Sequence, residues 1–273
     1  FSGAAIDSVF INNELSVEGE NVNWDFGQLA IVDQFTVAVE SKDQSGYQAG
    51  FITTCIAQGG GFQECNRIWN EDVQYAIPVN ANLNGFTDGG GLEDLKLFRN
   101  LEDNLLTEAI IGITVMDFPL AFAYEQYDTI LQFPLEYQSQ FSGPSAYDLD
   151  FSSFGAPFAY FHNQNRASKV DSYGKLMTPY GSFDDCLRLK TKIDYLDTIF
   201  ANGQNIPIPR TEYVYEWFHS DFEAPLLEIR GQETTLPGPL RITSIQFIDT
   251  LRCLQPIPLF TVDTTSKVLV NGE

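Results

Sequence analysis

The chain has 273 residues and sets 37 Asp and Glu against 15 Lys and Arg, a net charge of −22. That surplus repels phosphate backbones and anionic bilayers, so neither a nucleic-acid partner nor membrane insertion is expected, and no window approaches about eighteen consecutive apolar residues. With 22 Phe and 12 Tyr against 2 Met, the composition favours pleated, half-buried surfaces, which predicts an all-β fold: an antiparallel β-sandwich with little helix.

In chain order, Asp7 to Leu15, Trp24 to Phe26, Phe35 to Glu40 and Gly50 to Ile56 read as short strands between polar turns such as Glu18-Gly19-Glu20-Asn21. The polar interval Asn80 to Gly91 reads as a loop. Leu92, Leu95, Phe98, Leu101 and Leu105 recur at helical spacing, but Glu102-Asp103-Asn104 offers a turn between Leu95–Asn100 and Leu106–Val115. In β-rich surroundings a hairpin is the preferred reading of 92–108 over a helix.

Further on, Tyr147 to Phe151 alternates, and Ala159 to His162 follows a Gly-Ala-Pro break. Lys169 to Ile193 reads as a hairpin closing at Thr178-Pro179-Tyr180-Gly181, where Pro presets φ. Its second arm puts Phe183, Leu187, Leu189 and Ile193 on one face and Asp184, Arg188, Lys190 and Lys192 on the other, predicting a solvated side. Glu212 to Ser220 sets Tyr213, Tyr215 and Trp217 on one face, opposite Val214, Glu216 and Phe218. Ile242 to Leu251 and Leu259 to Val270 read as the last strands. A composition break at Ser142-Gly143-Pro144-Ser145 suggests an N-terminal β-rich region (1–143) and a C-terminal β-sandwich region (144–273), two packed β subunits, with one continuous domain as the alternative.

Four cysteines make an even set. Cys55 and Cys65 flank a glycine-rich stretch that a local disulfide could close, which leaves Cys186 to pair with Cys253; four buried free thiols are the alternative. Disulfides imply an oxidising compartment. The opening Phe1-Ser2-Gly3-Ala4-Ala5 has no charged or apolar leader region, so a signal peptide is expected to have been removed.

The hairpin segment Val170-Asp171-Ser172-Tyr173-Gly174-Lys175-Leu176-Met177-Thr178-Pro179-Tyr180-Gly181, running on to Leu187-Arg188-Leu189-Lys190, resembles a "V-D-x-x-G-x-L-x-T-P-x-G…L-R-[VL]-[KR]" segment. That segment is common in secreted Bacteroidota proteins exported by the type IX secretion system. Asn23-Trp24-Asp25-Phe26 and Glu212-Tyr213-Val214-Tyr215-Glu216-Trp217-Phe218 are similar to two further landmarks of those proteins, in the same order. The resemblance implies an extracytoplasmic β-sandwich-like module, secreted, at the cell surface or periplasmic, and brings no catalytic residues. Many of those proteins carry a C-terminal sorting domain; none is recognised in the residues up to Glu273, and removal on export, truncation or retention in the periplasm are the alternatives expected.

Chemistry-bearing constellations are sparse. The two histidines, His162 and His219, lack partners at zinc spacing, although His219 and Asp221 could share a strand face as an acid–base pair. No G-x-S-x-G elbow, Walker loop or H-E-x-x-H occurs, and Gly59-Gly60-Gly61 reads as a loop with no helix after it. Asp148 with Asp150, or Asp184 with Asp185, could hold calcium through oxygen ligands, without any EF-hand motif; no cofactor or metal is otherwise expected. Glu216 is the first candidate for a glycosidase carboxylate, but an inward Glu beside Arg188 or Arg230 explains it as well. The face of Tyr213, Tyr215 and Trp217 could stack on sugar rings or serve as core. Together these readings point to an exported, non-enzymatic protein acting through protein–protein contact, as an envelope or surface assembly subunit or an accessory of the type IX machinery. A carbohydrate-binding module is the alternative, and a glycoside hydrolase the third reading.

Overall fold

Two 20-residue strands, β10 (Phe158–Met177) and β11 (Ser182–Ala201), form the spine of the protein. The hairpin closes where expected: Thr178 and Gly181 exchange backbone hydrogen bonds of 2.8 and 3.1 Å. The structure, a computed structural model, describes residues 1–79, 92–115, 117–151, 158–201, 203–234 and 238–250. The loop expected at Asn80 to Gly91 and the strand expected at Leu259 to Val270 lie outside them.

Around the spine the chain forms one antiparallel meander. Its strands are β4 (Glu40–Ser41), β5 (Tyr75–Pro78), β6 (Leu92–Glu102), β7 (Leu105–Val115), β8 (Phe118–Gln132) and β9 (Gln140–Asp150), then β10 and β11, then β12 (Gln204–Phe218), β13 (Leu227–Gln232) and β14 (Arg241–Phe247). Beyond β14 the order continues through β1 (Ser2–Ala4) to β3 (Ile31–Gln34), while β2 (Gly19–Asp25) pairs in parallel with the outer end of β10. The all-β class expected from composition is what the protein has, as a single large, mostly antiparallel sheet. β9 crosses residue 143, so the sheet runs through the composition break without interruption.

The preferred hairpin at 92–108 is present, with Asp103 at φ 50° in its tight turn. Elsewhere, three helices replace expected strands or loops. Asp7 accepts hydrogen bonds from the Val9 and Phe10 amides, which caps α1 (Ser8–Leu15) and buries Ile11 and Leu15 four apart. Gly50 to Ile56 lies within α2 (Gln48–Ala57), whose buried Phe51, Thr54 and Cys55 follow helical spacing despite their β-branched neighbours. Gly50 is needed there because a Cβ would stand 1.9 Å from the Pro119 carbonyl oxygen of β8. A helix does follow the triple glycine: Gly61 precedes α3 (Phe62–Glu71), which buries Cys65 and Trp69. Residues 35–39 are not a strand; they carry the chain from β3 at one edge of the sheet to β4 at the other.

The sheet is strongly curled. β3 and β4 stand at opposite edges of it, about 58 Å apart across a flat sheet, yet only residues 35–39 join them, a reach of at most about 21 Å. Arg99 on β6 and Glu216 on β12 lie on the face toward the inside of that curl. The convex face is covered at one end by α1 and β2, whose Trp24 and Phe26 meet Trp217 edge-on at ring centroids of 5.7 and 5.4 Å. At the other end α2 and α3 pack Phe51 and Trp69 on Phe98.

The three sequence landmarks thus converge. Gly174 lies so close to β2 that a Cβ would meet the Val22 backbone at 2.0 Å, and Phe26 donates its amide to the Met177 carbonyl at 2.8 Å. The second arm of the hairpin is not solvated along its length, contrary to expectation: Cys186 and Arg188 are fully buried under α1 and β2, and only beyond them do Lys190 and Lys192 reach solvent.

Candidate functional site

Strand register builds a groove on the convex face, just past the edge of the α1 and β2 cover. Cross-strand pairing aligns Lys169, Lys190 and Tyr215 in one row and Ala167, Lys192 and Tyr213 in the next. Neighbouring strands are about 4.8 Å apart, so each row spans about 10 Å. Two adjoining hollows share Lys190 and Tyr213. One, of about 400 Å³, is completed by Tyr215, Glu233, Thr234, Gly238 and Leu240; the other, of about 260 Å³, by Glu18, Ala167, Lys169, Asp171 and Lys192.

The charges in this groove are anchored unequally. Lys190 donates to Glu18 at 2.7 Å and lies 5.7 Å from the Tyr215 ring centre. Burial pulls its pKa down, but the Glu18 bond and Tyr215 outweigh it and the net shift is upward; the same bond lowers Glu18. Lys192 pairs with Asp194 at 2.9 Å, both half exposed, a contact worth well under about 1 kcal/mol. Tyr213 donates its hydroxyl to Glu233 at 3.0 Å, and its ring lies stacked 6.5 Å from Tyr215. Lys169, which is exposed, has no ion-pair partner among the described residues.

The aromatic face read from the sequence therefore divides. Trp217 is wholly in the core, Tyr215 shows only its edge at 5% exposure, and Tyr213 is the ring that the groove presents. Lysines 169, 190 and 192 and Glu18 were missed as a group because cross-strand register, which alone brings them together, is not written in any one segment.

A second polar region lies on the concave face. Arg166 grips Asp128 through two bonds of 2.9 and 2.7 Å, Gln164 adds a third at 2.7 Å, and Arg99 and the Tyr124 hydroxyl reach Glu108 at 3.0 and 2.5 Å. Arg230 holds Glu228 at 2.8 Å and Glu212 at 3.2 Å. Glu216 stands directly across from Glu228 on the neighbouring strand. Burial and then the Glu228 charge push the Glu216 carboxyl up to about 7, restrained by Arg230, Arg166 and Arg99. Of the two expected partners, Arg230 is near it, while Arg188 lies on the opposite face, paired with Asp171. Glu216 and Glu228 are thus neighbours on one sheet face rather than carboxylates opposed across a cleft.

His162 is buried, stacked 4.4 Å from Tyr147, with Nδ1 2.8 Å from Asp197. Burial disfavours the Asp197 carboxylate, but His162 and Arg210 outweigh that and lower its pKa. His219 and Asp221 do come close, yet the contact is a turn: the Asp221 amide donates to Nδ1 at 3.2 Å, and its carboxylate stays 3.8 Å away.

Cys55 and Cys65 form a disulfide that ties α2 to α3. Cys186 is buried in the aromatic core beside Trp217, with no disulfide partner among the described residues, its Sγ 3.7 Å from the Phe183 carbonyl. Its expected partner, Cys253, lies outside the described residues. Of the carboxylate pairs weighed for calcium, Asp184 faces Lys175 at 3.3 Å, and burial followed by Glu125 and Asp150 raises the pKa of Asp148. Among the described residues no group of three or more His, Cys, Asp or Glu is placed to hold a metal, and no helix is long and apolar enough to cross a membrane.

Neither a family model, nor a curated protein, nor a solved structure matches this chain.

Proposed function

We propose that this is an exported, non-catalytic recognition protein whose ligand is carbohydrate, held in the groove over β10, β11 and β12. The observation that carries the reading is Tyr213: an accessible ring beside Tyr215, in a hollow of about 400 Å³ lined by Lys190 and Glu233 and adjoining a second hollow that adds Lys169, Lys192 and Glu18. An aromatic platform takes the apolar face of a pyranose, while Glu18, Glu233 and the lysines supply acceptors and donors for its hydroxyls. The disulfide favours an oxidising, extracytoplasmic setting. The resemblance to type IX secretion cargo agrees with that setting, and its motif residues have structural duties in this fold. The concave carboxylates support the non-catalytic reading, since Asp128, Glu108 and Glu228 are each engaged by an arginine.

The test is a glycan array probed with the wild-type protein and Tyr213→Ala. Saturable binding that the variant loses, with its melting temperature kept, supports the reading. An array without binding, or one on which Tyr213→Ala binds equally, overturns it.

A second reading, assembly through protein–protein contact, has its own observation. The outer end of the β11–β12 hairpin exposes Leu196, Ile206 and Ile208 at 55%, 49% and 38%. Concentration-dependent association that Ile206→Ser with Ile208→Ser abolishes would favour it.

A further inference from the structure

We infer that the groove selects an acidic sugar: a hexuronate residue whose ring lies on Tyr213 and whose carboxylate is taken by Lys169 together with Lys192. The inference deepens the carbohydrate reading and rests on it. Its basis is how charge is placed on this chain. Acidic residues outnumber basic ones more than two to one, so the bulk of the surface repels anions, yet three of the seven lysines converge on this one groove.

The pairing of each charge then decides which lysines are available. Lys190 is committed, clamped by Glu18 and lying near the Tyr215 ring. Among the described residues Lys192 makes its one ion pair with the exposed Asp194, which Thr211 also satisfies at 2.7 Å, so it can exchange that carboxylate for another at little cost. Lys169 makes no ion pair among the described residues and feels Glu18 only at longer range, so it has no close counter-ion to give up there. Through the register, Lys169 lies one row from Lys192 and two strands from the Tyr213–Tyr215 strand, about the reach of one pyranose ring and its C5 carboxylate. A charge-assisted hydrogen bond to a carboxylate is roughly twice as strong as one to a hydroxyl.

The flanking carboxylates set the upper limit on ligand charge. Glu18 and Glu233 border the same groove. A ligand with one carboxylate per ring and hydroxyls elsewhere satisfies both signs, whereas a dense polyanion such as a nucleic acid would meet these acids head-on. The Glu233 carboxylate, already accepting from Tyr213, has acceptor capacity left for sugar hydroxyls.

The experiment is calorimetric titration with trisaccharides of galacturonate, glucuronate and mannuronate, each beside its neutral hexose counterpart, against wild type, Lys169→Met and Tyr213→Ala. At least one uronate should bind about tenfold tighter than its neutral counterpart, and Lys169→Met should bring the two within about threefold by weakening the uronate more than the neutral sugar. Tyr213→Ala should lose both. Equal binding of acidic and neutral sugars, unchanged in Lys169→Met, would overturn the acidic preference and leave the carbohydrate reading standing. No binding of either class, or binding of a poly-glutamate peptide in their place, would overturn both. Lys169 is exposed and Tyr213 partly so, so the melting temperature of each variant should match wild type and separates lost binding from lost fold.

Discussion

The Arg188 guanidinium, wholly buried, grips Asp171 through two parallel hydrogen bonds of 2.8 and 3.0 Å. It also donates to the carbonyl of Leu15 at the end of α1, at 3.1 Å, and lies 5.4 Å from the Trp24 ring centre on β2. One ion pair thus fastens the spine hairpin to both elements that cover it. Removing one partner of such a pair strands the other charge. Arg188→Met should cost on the order of 3–5 kcal/mol in urea denaturation, and adding Asp171→Asn to it should recover much of the loss.

Glu216 makes stability depend on pH in an identifiable direction. Its carboxyl is raised from 4.5 to about 7 by burial and by Glu228, so between those values the folded protein binds a proton that the unfolded chain has released. Stability from this group therefore falls as pH rises from 4.5 through 7. The cost is fully present above 7 and absent below 4.5. Glu216→Gln should be more stable than wild type at pH 8 by on the order of 1–3 kcal/mol, with the gap closing by pH 4.5. A gap independent of pH would show that the carboxyl titrates normally.

The Cys55–Cys65 bridge closes a short loop, with a sequence separation of 10. The chain-entropy argument assigns it about 2.5 kcal/mol. Since α2 lies along β8 and is joined to β8 through Thr54 and the Ala121 carbonyl, Cys55→Ser with Cys65→Ser should lower the melting temperature. It should also raise hydrogen exchange in 48–71 before it does so in the spine hairpin.

Cys186 should be inert. Burial pushes its thiol up to about 12, and the thiolate is the nucleophile. Iodoacetamide at pH 8 should leave the Cys186 peptide unlabelled in the folded protein and label it in urea, as read by mass spectrometry.

Fold class and the main hairpins were legible because alternation and turn chemistry are local. Tyr147 to Phe151 alternates, and Thr178-Pro179-Tyr180-Gly181 carries its own turn signal. The helices were not legible. In α2 the β-branched Ile52, Thr53 and Thr54 mimic a strand, and the decision is made by Phe51 and Cys55 meeting β8 and α3. Asp7, three residues before Phe10, was the signal that could have revealed α1. At the site, Tyr213 and Tyr215 could be named from sequence, while Trp217 could not be assigned to the core without knowing that Trp24 and Phe26 cover it. The role of Arg188 was missed for the same reason: alternation within one strand shows that two faces differ but not what packs on each.

The most direct test of the recognition site is hydrogen–deuterium exchange with and without a saturating uronate trisaccharide. Binding in the groove predicts protection in peptides covering 167–171, 188–194, 211–217 and 231–234, which line it together with Glu18, Gly238 and Leu240, with the β11–β12 tip at 196–208 unchanged. Exchange unaltered by the sugar, or protection at 196–208 without any at Tyr213, would contradict it.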